Sequence, residues 1–221
     1  MIHVHDLALD APDGHLLLEG LDLALPRGGN LLLNGPSGGG KSRLLRVVAG
    51  MERPLRGQVR VGGREVWPGS GVLGLAGQVR LGFAFPTGGL LSNLSLRENI
   101  GLPLRFLGMS GAELARRVDG ALERLRLQAV AGLRPHAVSA SARKQANLAR
   151  VLALDPELIL LDDPLEGLDT ADRSLAQGLI QTWADDRSCT LVMAAEETAA
   201  FGPLEADRLR LSPPPLSVES P

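Results

Sequence analysis

The chain has 221 residues, of which 44% are hydrophobic and 22% are charged, and its formal net charge is −2. That composition is ordinary for a globular protein of about one to one and a half domains, and the near-neutral charge excludes nucleic-acid binding by non-specific attraction. The single cysteine, Cys189, excludes a disulfide framework and favours a reducing compartment. Only two of the 23 basic residues are lysines, Lys41 and Lys144, and the others are arginines. Because lysine is so rare in this chain, each of the two is a candidate for a specific role.

The N-terminal part predicts strands followed by one helix. Apolar residues at the start are spaced for a strand at an exposed edge: Val4, Leu7 and Leu9. Residues 30–34 form a short apolar run that is typical of a buried parallel strand. After a glycine-rich loop, residues 41–49 have apolar side chains at helical spacing, and Gly50 is the expected C-terminal cap. Strands and turns return between residues 57 and 85.

The C-terminal part predicts a helical insertion and then alternating strands and helices. Residues 95–133 are expected to be largely helical, and buried strands are expected at 158–161 and 190–195 with a helix between them. This alternation predicts an α/β fold with a mainly parallel sheet. Residues 212–221 are rich in proline and are predicted to be disordered. No signal peptide is expected, and no segment has the about 20 apolar residues of a membrane span.

One motif points to phosphate binding. It fits G-x-x-x-x-G-K-[ST] at every fixed position, and it lies between a predicted strand and a predicted helix. Its residues are Gly35, Pro36, Ser37, Gly38, Gly39, Gly40, Lys41 and Ser42. Glycines allow backbone N–H groups to turn towards phosphate oxygens, and the start of the helix adds its positive end. We expect Lys41 to neutralise the β- and γ-phosphates and the Ser42 hydroxyl to bind Mg²⁺.

A second element of a phosphate site is expected at the end of a buried strand. Asp162 follows the apolar run 158–161 directly. A carboxylate at such a position holds Mg²⁺ directly or through water. An aspartate at a strand end is weak evidence by itself, but together with the phosphate loop it predicts a nucleotide site.

Several stretches together resemble the nucleotide-binding subunit of ABC transporters. They are residues 35–42, 80–85, 94–104 and 161–169, the last being similar to the family's D-E-P-x-x-x-L-D run. The resemblance implies a P-loop NTPase core of the RecA-like class, with a mainly parallel sheet, an antiparallel N-terminal β part and an inserted helical subdomain. The core would comprise residues 1–86 and 151–211, and the helical subdomain residues 87–150.

The resemblance also implies how such a chain works. Members of the family bind ATP and Mg²⁺ and act as head-to-tail dimers, in which each ATP lies between the phosphate loop of one subunit and the signature motif of the other. They dock on a membrane permease, here through residues 86–107, and they do not bind nucleic acid. A cytoplasmic, peripheral location at the inner face of the membrane is therefore expected. Residues 98–104 are most similar to members that transport lipids or lipoproteins.

Several positions depart from the family pattern around the γ-phosphate. The family's glutamine after the strand is replaced by Pro86, which can neither bind Mg²⁺ nor position water. The signature motif L-S-G-G-Q aligns with residues 138–142, which keep Ser139 for a γ-phosphate across the dimer but lack both glycines. The catalytic glutamate aligns with Asp163, one methylene shorter. The histidine aligns with Glu196, which cannot donate a hydrogen bond when ionised.

A further departure is Ala11, which aligns with the aromatic residue that stacks on adenine. Stacking of this kind contributes about 1–3 kcal/mol.

The groups expected to hold phosphate and metal are thus present, whereas the groups that hydrolyse ATP or contact the base in the family are changed. We predict an ATP-binding subunit with weak or absent hydrolysis.

The alternatives are a catalytically silent, regulatory or structural partner of a competent ATPase in a heterodimer, and a P-loop kinase or another nucleotide hydrolase. The run 162–169 and the aligned signature region argue against the kinase. The choice between homodimer and heterodimer, the transported substrate and its direction stay open, as does a role for Lys144 beside the signature motif.

Overall fold

The computed structural model describes residues 1–66, 79–87, 89–196 and 205–211. The strands in these ranges are β1 (Ile2–Asp10), β2 (Leu16–Leu25), β3 (Asn30–Asn34), β4 (Arg56–Val61), β5 (Arg64–Glu65), β6 (Leu81–Ala84), β7 (Leu158–Asp162), β8 (Thr190–Ala194) and β9 (Asp207–Arg210). The helices are α1 (Lys41–Val48), α2 (Leu96–Phe106), α3 (Gly111–Arg124), α4 (Ala140–Leu154) and α5 (Thr170–Asp185), with 3₁₀ turns at Gln128–Val130 and Pro135–Ala137. The predicted disordered tail, residues 212–221, lies outside the described residues.

The strands form two sheets. One is antiparallel with the order β2-β1-β4-β5, and the other has the order β6-β7-β8-β3-β9 with parallel pairing throughout. Helices α2 to α4 are inserted in the chain between β6 and β7. The predicted α/β fold, with its parallel core, antiparallel N-terminal part and inserted helices, is confirmed. The predicted domain boundary at residues 150 and 151 falls inside α4, so the division into domains stays a prediction.

Two hydrophobic cores cover the two faces of the parallel sheet. Successive residues of a strand point to opposite faces, and β7 follows this rule. Leu158 and Leu160 pack in the core that contains α1 and the antiparallel sheet. Ile159 and Leu161 pack in the core built with the inserted helices and α5. Burial on both faces explains why the central strands are almost entirely apolar, and it fixes the ends of these strands as a rigid platform.

The prediction of an exposed edge position for β1 is wrong. β1 lies between β2 and β4 and pairs with both. An uninterrupted strand buries every second residue, but the pairing with β2 shifts register between Val4 and Leu7, where Asp6 has a φ of 44°. After this irregularity Leu7, Ala8 and Leu9 are all buried. A bulge therefore interrupts the alternation of buried and exposed residues that the sequence suggests. A neighbouring strand is paired with each edge of β1.

Cys189 is expected to be chemically inert in the native protein. It is 3% exposed, and burial first, then the carboxylates of Asp186 and Asp155, raises the pKa of its thiol to about 12. Since the thiolate is the reactive form, a thiol reagent at pH 8 should label native protein at least about a hundredfold more slowly than protein unfolded in urea. Equal labelling rates in the two states would contradict the buried position.

Candidate functional site

The predicted phosphate loop lies at the carboxyl end of the parallel sheet. β3 ends at Asn34, and residues 35–40 connect it to α1. Gly35 has a φ of 141°, and a Cβ there would lie 2.2 Å from the carbonyl oxygen of Leu211. Gly40 precedes α1 with a φ of 87°, and no side chain caps the helix. The loop therefore requires glycine at both ends, and the N–H groups of the first helical turn are not taken by a capping side chain.

The side chain of Lys41 holds the phosphate loop together through hydrogen bonds to its backbone. Its side chain is buried, and its Nζ donates hydrogen bonds of 2.9 Å to the carbonyl oxygens of both Gly35 and Pro36. An ammonium group carries three N–H donors, so one more can be offered to a ligand. The positive charge is thereby fixed beside the curled backbone, as the motif predicts.

Ser42 and Asp162 meet although they are far apart in sequence. The Ser42 Oγ donates a 2.9 Å hydrogen bond to the Asp162 Oδ1. Asp162 is fully buried, and its Oδ2 has no hydrogen-bond partner within the described residues. Burial raises the pKa of Asp162, and the bond from Ser42 opposes that rise. A hydroxyl and a carboxylate with an unpartnered oxygen are the ligands that Mg²⁺ prefers, so these residues fit the metal that the sequence predicts.

Asp163 begins the next turn in a conformation that few side chains adopt. Its φ is 43°, and its N–H donates to the carbonyl of Ala194 at 3.0 Å. Burial is the first cause that raises the pKa of Asp163, followed by the carboxylate of Asp162. Those of Glu166 and Glu196 act in the same direction, and Lys41 opposes them. The pKa of Asp163 thus depends on the charges of Glu196 and Lys41 as well as on burial.

Lys144 binds the segment that follows β6, a contact that could not be predicted from the sequence. It is 4% exposed, and its Nζ donates to the carbonyl oxygens of Pro86 at 2.8 Å and Phe85 at 3.4 Å. Two further α4 side chains hold the same segment: Asn147 donates to the carbonyl of Phe85, and Arg150 to that of Gly89, each at 2.8 Å. These three residues recur every third position of α4. The sequence indicates only that these three residues share one face of the helix. It does not show which segment that face contacts.

Comparison with known proteins decides the family. The family model described as ABC transporter matches residues 18–166. The sulfate/thiosulfate import ATP-binding protein CysA of Mycobacterium tuberculosis (strain ATCC 25618 / H37Rv) is 32% identical over 183 residues, which is 82% of this chain and 50% of that protein. The chain belongs to the ABC transporter family. The methionine import ATP-binding protein MetN 2 of Burkholderia pseudomallei is 40% identical over 165 residues, 72% of this chain and 41% of that protein.

Solved structures of ABC cassettes have the same fold. A dimeric, post-hydrolysis form of the ATP-binding cassette MJ0796 bound to ADP and Pi matches with a TM-score of 0.84 at 24% identity, over 96% of this chain and 94% of that one. Another dimeric structure of MJ0796 matches with the same TM-score at 25% identity, over 95% of this chain and 94% of that one. In sequence, the chain spans about half the length of the curated relatives that it matches.

Residues 138–142, which the sequence analysis aligns with the signature motif, lie at the start of α4. Ser139 is exposed and caps the helix, its Oγ accepting a hydrogen bond from the Ala142 N–H at 3.1 Å. Ser141 stands where the family has its second glycine, and it is buried. Its hydroxyl donates to the carboxylate of Asp172 and accepts from the Asp169 N–H. Ser139 thus lies exposed at the surface, whereas the buried Ser141 links α4 to the start of α5.

Ala11 gives this ABC chain no surface for an adenine ring. The residue is 9% exposed and packs in the core beside the antiparallel sheet. Its N–H donates to the carbonyl of His15 at 2.8 Å, within the turn that joins β1 to β2.

Within the described ranges, no helix combines the length and the apolarity that a membrane crossing requires.

Proposed function

We propose that this chain is the ATP-binding subunit of an ABC transporter, binding MgATP through residues 35–42 and Asp162 and hydrolysing it weakly or not at all. The observation that carries the proposal is the Ser42–Asp162 pair, whose second carboxylate oxygen is buried and has no hydrogen-bond partner among the residues that the structure describes. Relatives named ATP-binding proteins and a structural neighbour bound to ADP and Pi support a nucleotide of this kind. When bound, Mg²⁺ would supply charge neutralisation at the phosphates.

Weak hydrolysis follows from the groups that surround the expected position of the attacking water. Asp163 is one methylene shorter than the family's glutamate, and a displacement of about 1 Å can reduce a rate about a hundredfold. Pro86 offers no side-chain polar group, and its carbonyl already accepts from Lys144. Glu196 adds a negative charge close to Asp163. Each change leaves the phosphate loop intact, so nucleotide binding and turnover are expected to be separated.

The dimer offers two arrangements. In a homodimer, both nucleotide sites would contain Asp163 and the altered signature motif, residues 138–142. In a heterodimer, the signature motif of a competent partner would face Lys41 of this chain, and the phosphate loop of that partner would face residues 138–142 of this chain. The partner would then carry out the hydrolysis at its own catalytic groups. The heterodimer is the second candidate. It is favoured by Asp163 and Glu196, because the catalytic groups of a competent partner would lack these changes, whereas both sites of a homodimer would contain them.

We propose that a permease docks on an apolar groove beside α2. The groove encloses about 200 Å³ and is lined by Met51, Leu81, Gly82, Phe83, Phe85, Leu102, Pro103, Phe106, Arg150, Val151 and Leu154. Phe106 is 70% exposed, the largest exposure among the bulky apolar residues described. A short amphipathic segment of a membrane protein is the occupant that such a groove fits. The groove overlaps the docking region that the sequence predicts, residues 86–107.

A substitution at the groove tests the docking. Because a buried charge without a partner is strongly unfavourable, Phe106→Asp should abolish co-purification with an integral membrane protein from detergent extracts, while affinity for MgATP stays unchanged. Leu133→Asp is the matched control, since Leu133 is also exposed, at 43%, but does not line the groove. Co-purification by both variants would contradict this surface. The stoichiometry of the wild-type complex distinguishes two copies of this chain from one copy with a second ATP-binding protein.

The sequence and the relatives indicate different transported molecules. Residues 98–104 resemble members that transport lipids or lipoproteins, whereas the relatives above are named as importers of sulfate/thiosulfate and methionine. Inside α2 these residues have structural roles: Glu98 completes a capping box with Ser95, and Ile100 and Leu104 are fully buried. We therefore propose that this stretch builds the docking helix, and that the permease selects the cargo.

A further inference from the structure

The two lysines of the chain have the same environment. Lys41 and Lys144 are 5% and 4% exposed, and each ammonium group donates to the carbonyl oxygens of two consecutive residues. Lysine is seldom buried in this way, because removing an ammonium group from water carries a large free-energy cost. Lys41 has an explanation in the phosphate loop. The burial of Lys144 asks for a second one.

Lys144 lies beside the nucleotide site at the carboxyl edge of the parallel sheet. Its ammonium group binds the carbonyl of Pro86, which follows β6, and β6 pairs with β7 so that Ala84 lies opposite Leu161, the residue before Asp162. Burial lowers the pKa of Lys144, and the carboxylates of Glu166, Asp163 and Asp162 oppose that effect. The ammonium group is held in place by the carbonyl of Pro86, the residue at which the family's glutamine is lost. A positive charge is therefore fixed against the backbone of the segment in which that polar side chain is missing.

Charge balance shows what a cation would do there. Asp162, Asp163 and Glu166, together with Glu196, place several negative charges around a loop that is built to bind phosphates. A nucleoside triphosphate adds further negative charge, and Mg²⁺ normally offsets the repulsion. A lysine fixed in the same site offsets part of that repulsion permanently, because its positive charge attracts the phosphates, and this attraction is stronger in a partly buried site than in water.

On the basis of the proposed ATP-binding function, we propose that Lys144 is a built-in cation of the nucleotide site, which allows a nucleoside triphosphate to bind with reduced dependence on Mg²⁺. Lys144 acts with Lys41: one ammonium group stands on the loop side, and the other stands on the side of the segment that follows β6. Neither takes part in proton transfer.

Calorimetric titration of ATP into the full chain tests this, with either Mg²⁺ or EDTA present. The quantity of interest is the ratio of the dissociation constant in EDTA to that in Mg²⁺. Lys144→Gln keeps an N–H donor for the Pro86 carbonyl but removes the charge, so this ratio should rise about tenfold above that of the wild type. Lys144→Arg keeps the charge and should leave the ratio within about threefold of the wild-type value.

Arg124→Gln is the matched control, because it removes one positive charge from an exposed position of α3 and should not change the ratio. A rise of about threefold or less in Lys144→Gln, or equal rises in Lys144→Gln and Lys144→Arg, overturns the inference. If Lys144→Gln does not fold, the wild type decides: an affinity loss in EDTA of more than about thirtyfold overturns it. Wild-type protein that binds no ATP even with Mg²⁺ contradicts the proposed function itself.

Discussion

Replacing Lys41 with alanine should lower the affinity for MgATP by at least about a hundredfold. The ammonium group is fixed at the loop by the carbonyls of Gly35 and Pro36. A hydrogen bond to a charged group contributes about 1.5–3 kcal/mol. The one N–H donor of Lys41 that remains for a phosphate oxygen, together with the attraction between its charge and the phosphates, corresponds to at least about two factors of ten in affinity. The measurement is a calorimetric titration with MgATP.

Two further variants make the result specific to this position. Lys41→Arg should not restore tight binding, because a planar guanidinium group does not fit a buried pocket shaped for a compact ammonium. Arg124→Ala, at an exposed position of α3, should bind as the wild type does. Melting curves check the fold, since Lys41 also holds the loop together. Wild-type affinity in a folded Lys41→Ala variant would exclude residues 35–42 as the nucleotide site.

Steady-state release of phosphate should be very slow in the wild type and should increase about a hundredfold in the double variant Pro86→Gln/Asp163→Glu. The longer carboxylate restores the reach that the family uses, and the glutamine restores a polar side chain next to it. The gain is expected at saturating MgATP and therefore appears in kcat. Asp163→Glu alone should produce a smaller increase, because Pro86 is still present.

The backbone at Asp163 limits this gain. Its φ of 43° is tolerated better by aspartate than by glutamate, so the variant is expected to lose a little stability. Asp163→Asn is the control, which keeps the size of the side chain but removes the carboxylate and should reduce turnover to background. Rapid phosphate release by the wild type that disappears in Lys41→Ala would contradict weak hydrolysis.

Contiguous features of the site could be predicted from the sequence. The phosphate loop is a run of residues 35–42 between a strand and a helix, so its composition determines its form locally. Asp162 lies far along the chain, but it could be predicted because parallel strands bring their carboxyl ends to one edge. The central strands were recognisable because burial on both faces makes them apolar throughout.

Features that depend on long-range contacts could not be predicted. Lys144 contacts Phe85 and Pro86, about sixty residues earlier, and nothing in the helical pattern of α4 shows which element its polar face meets. The same holds for Ser141, whose partners lie at the start of α5. The position of β1 was missed for a different reason, because a bulge after Val4 interrupts the alternation from which burial is inferred.

The two sets of contacts made by α4 have a mechanical consequence. Near its first turn, Ser141 fastens the helix to α5, and along the next turns Lys144, Asn147 and Arg150 fasten it to the segment that leaves β6. A helix is stiff along its axis, so a displacement of that segment carries α4 with it unless these hydrogen bonds break. Ser139, which is exposed at the N-terminal end of α4, would then move as the helix pivots about its contact with α5.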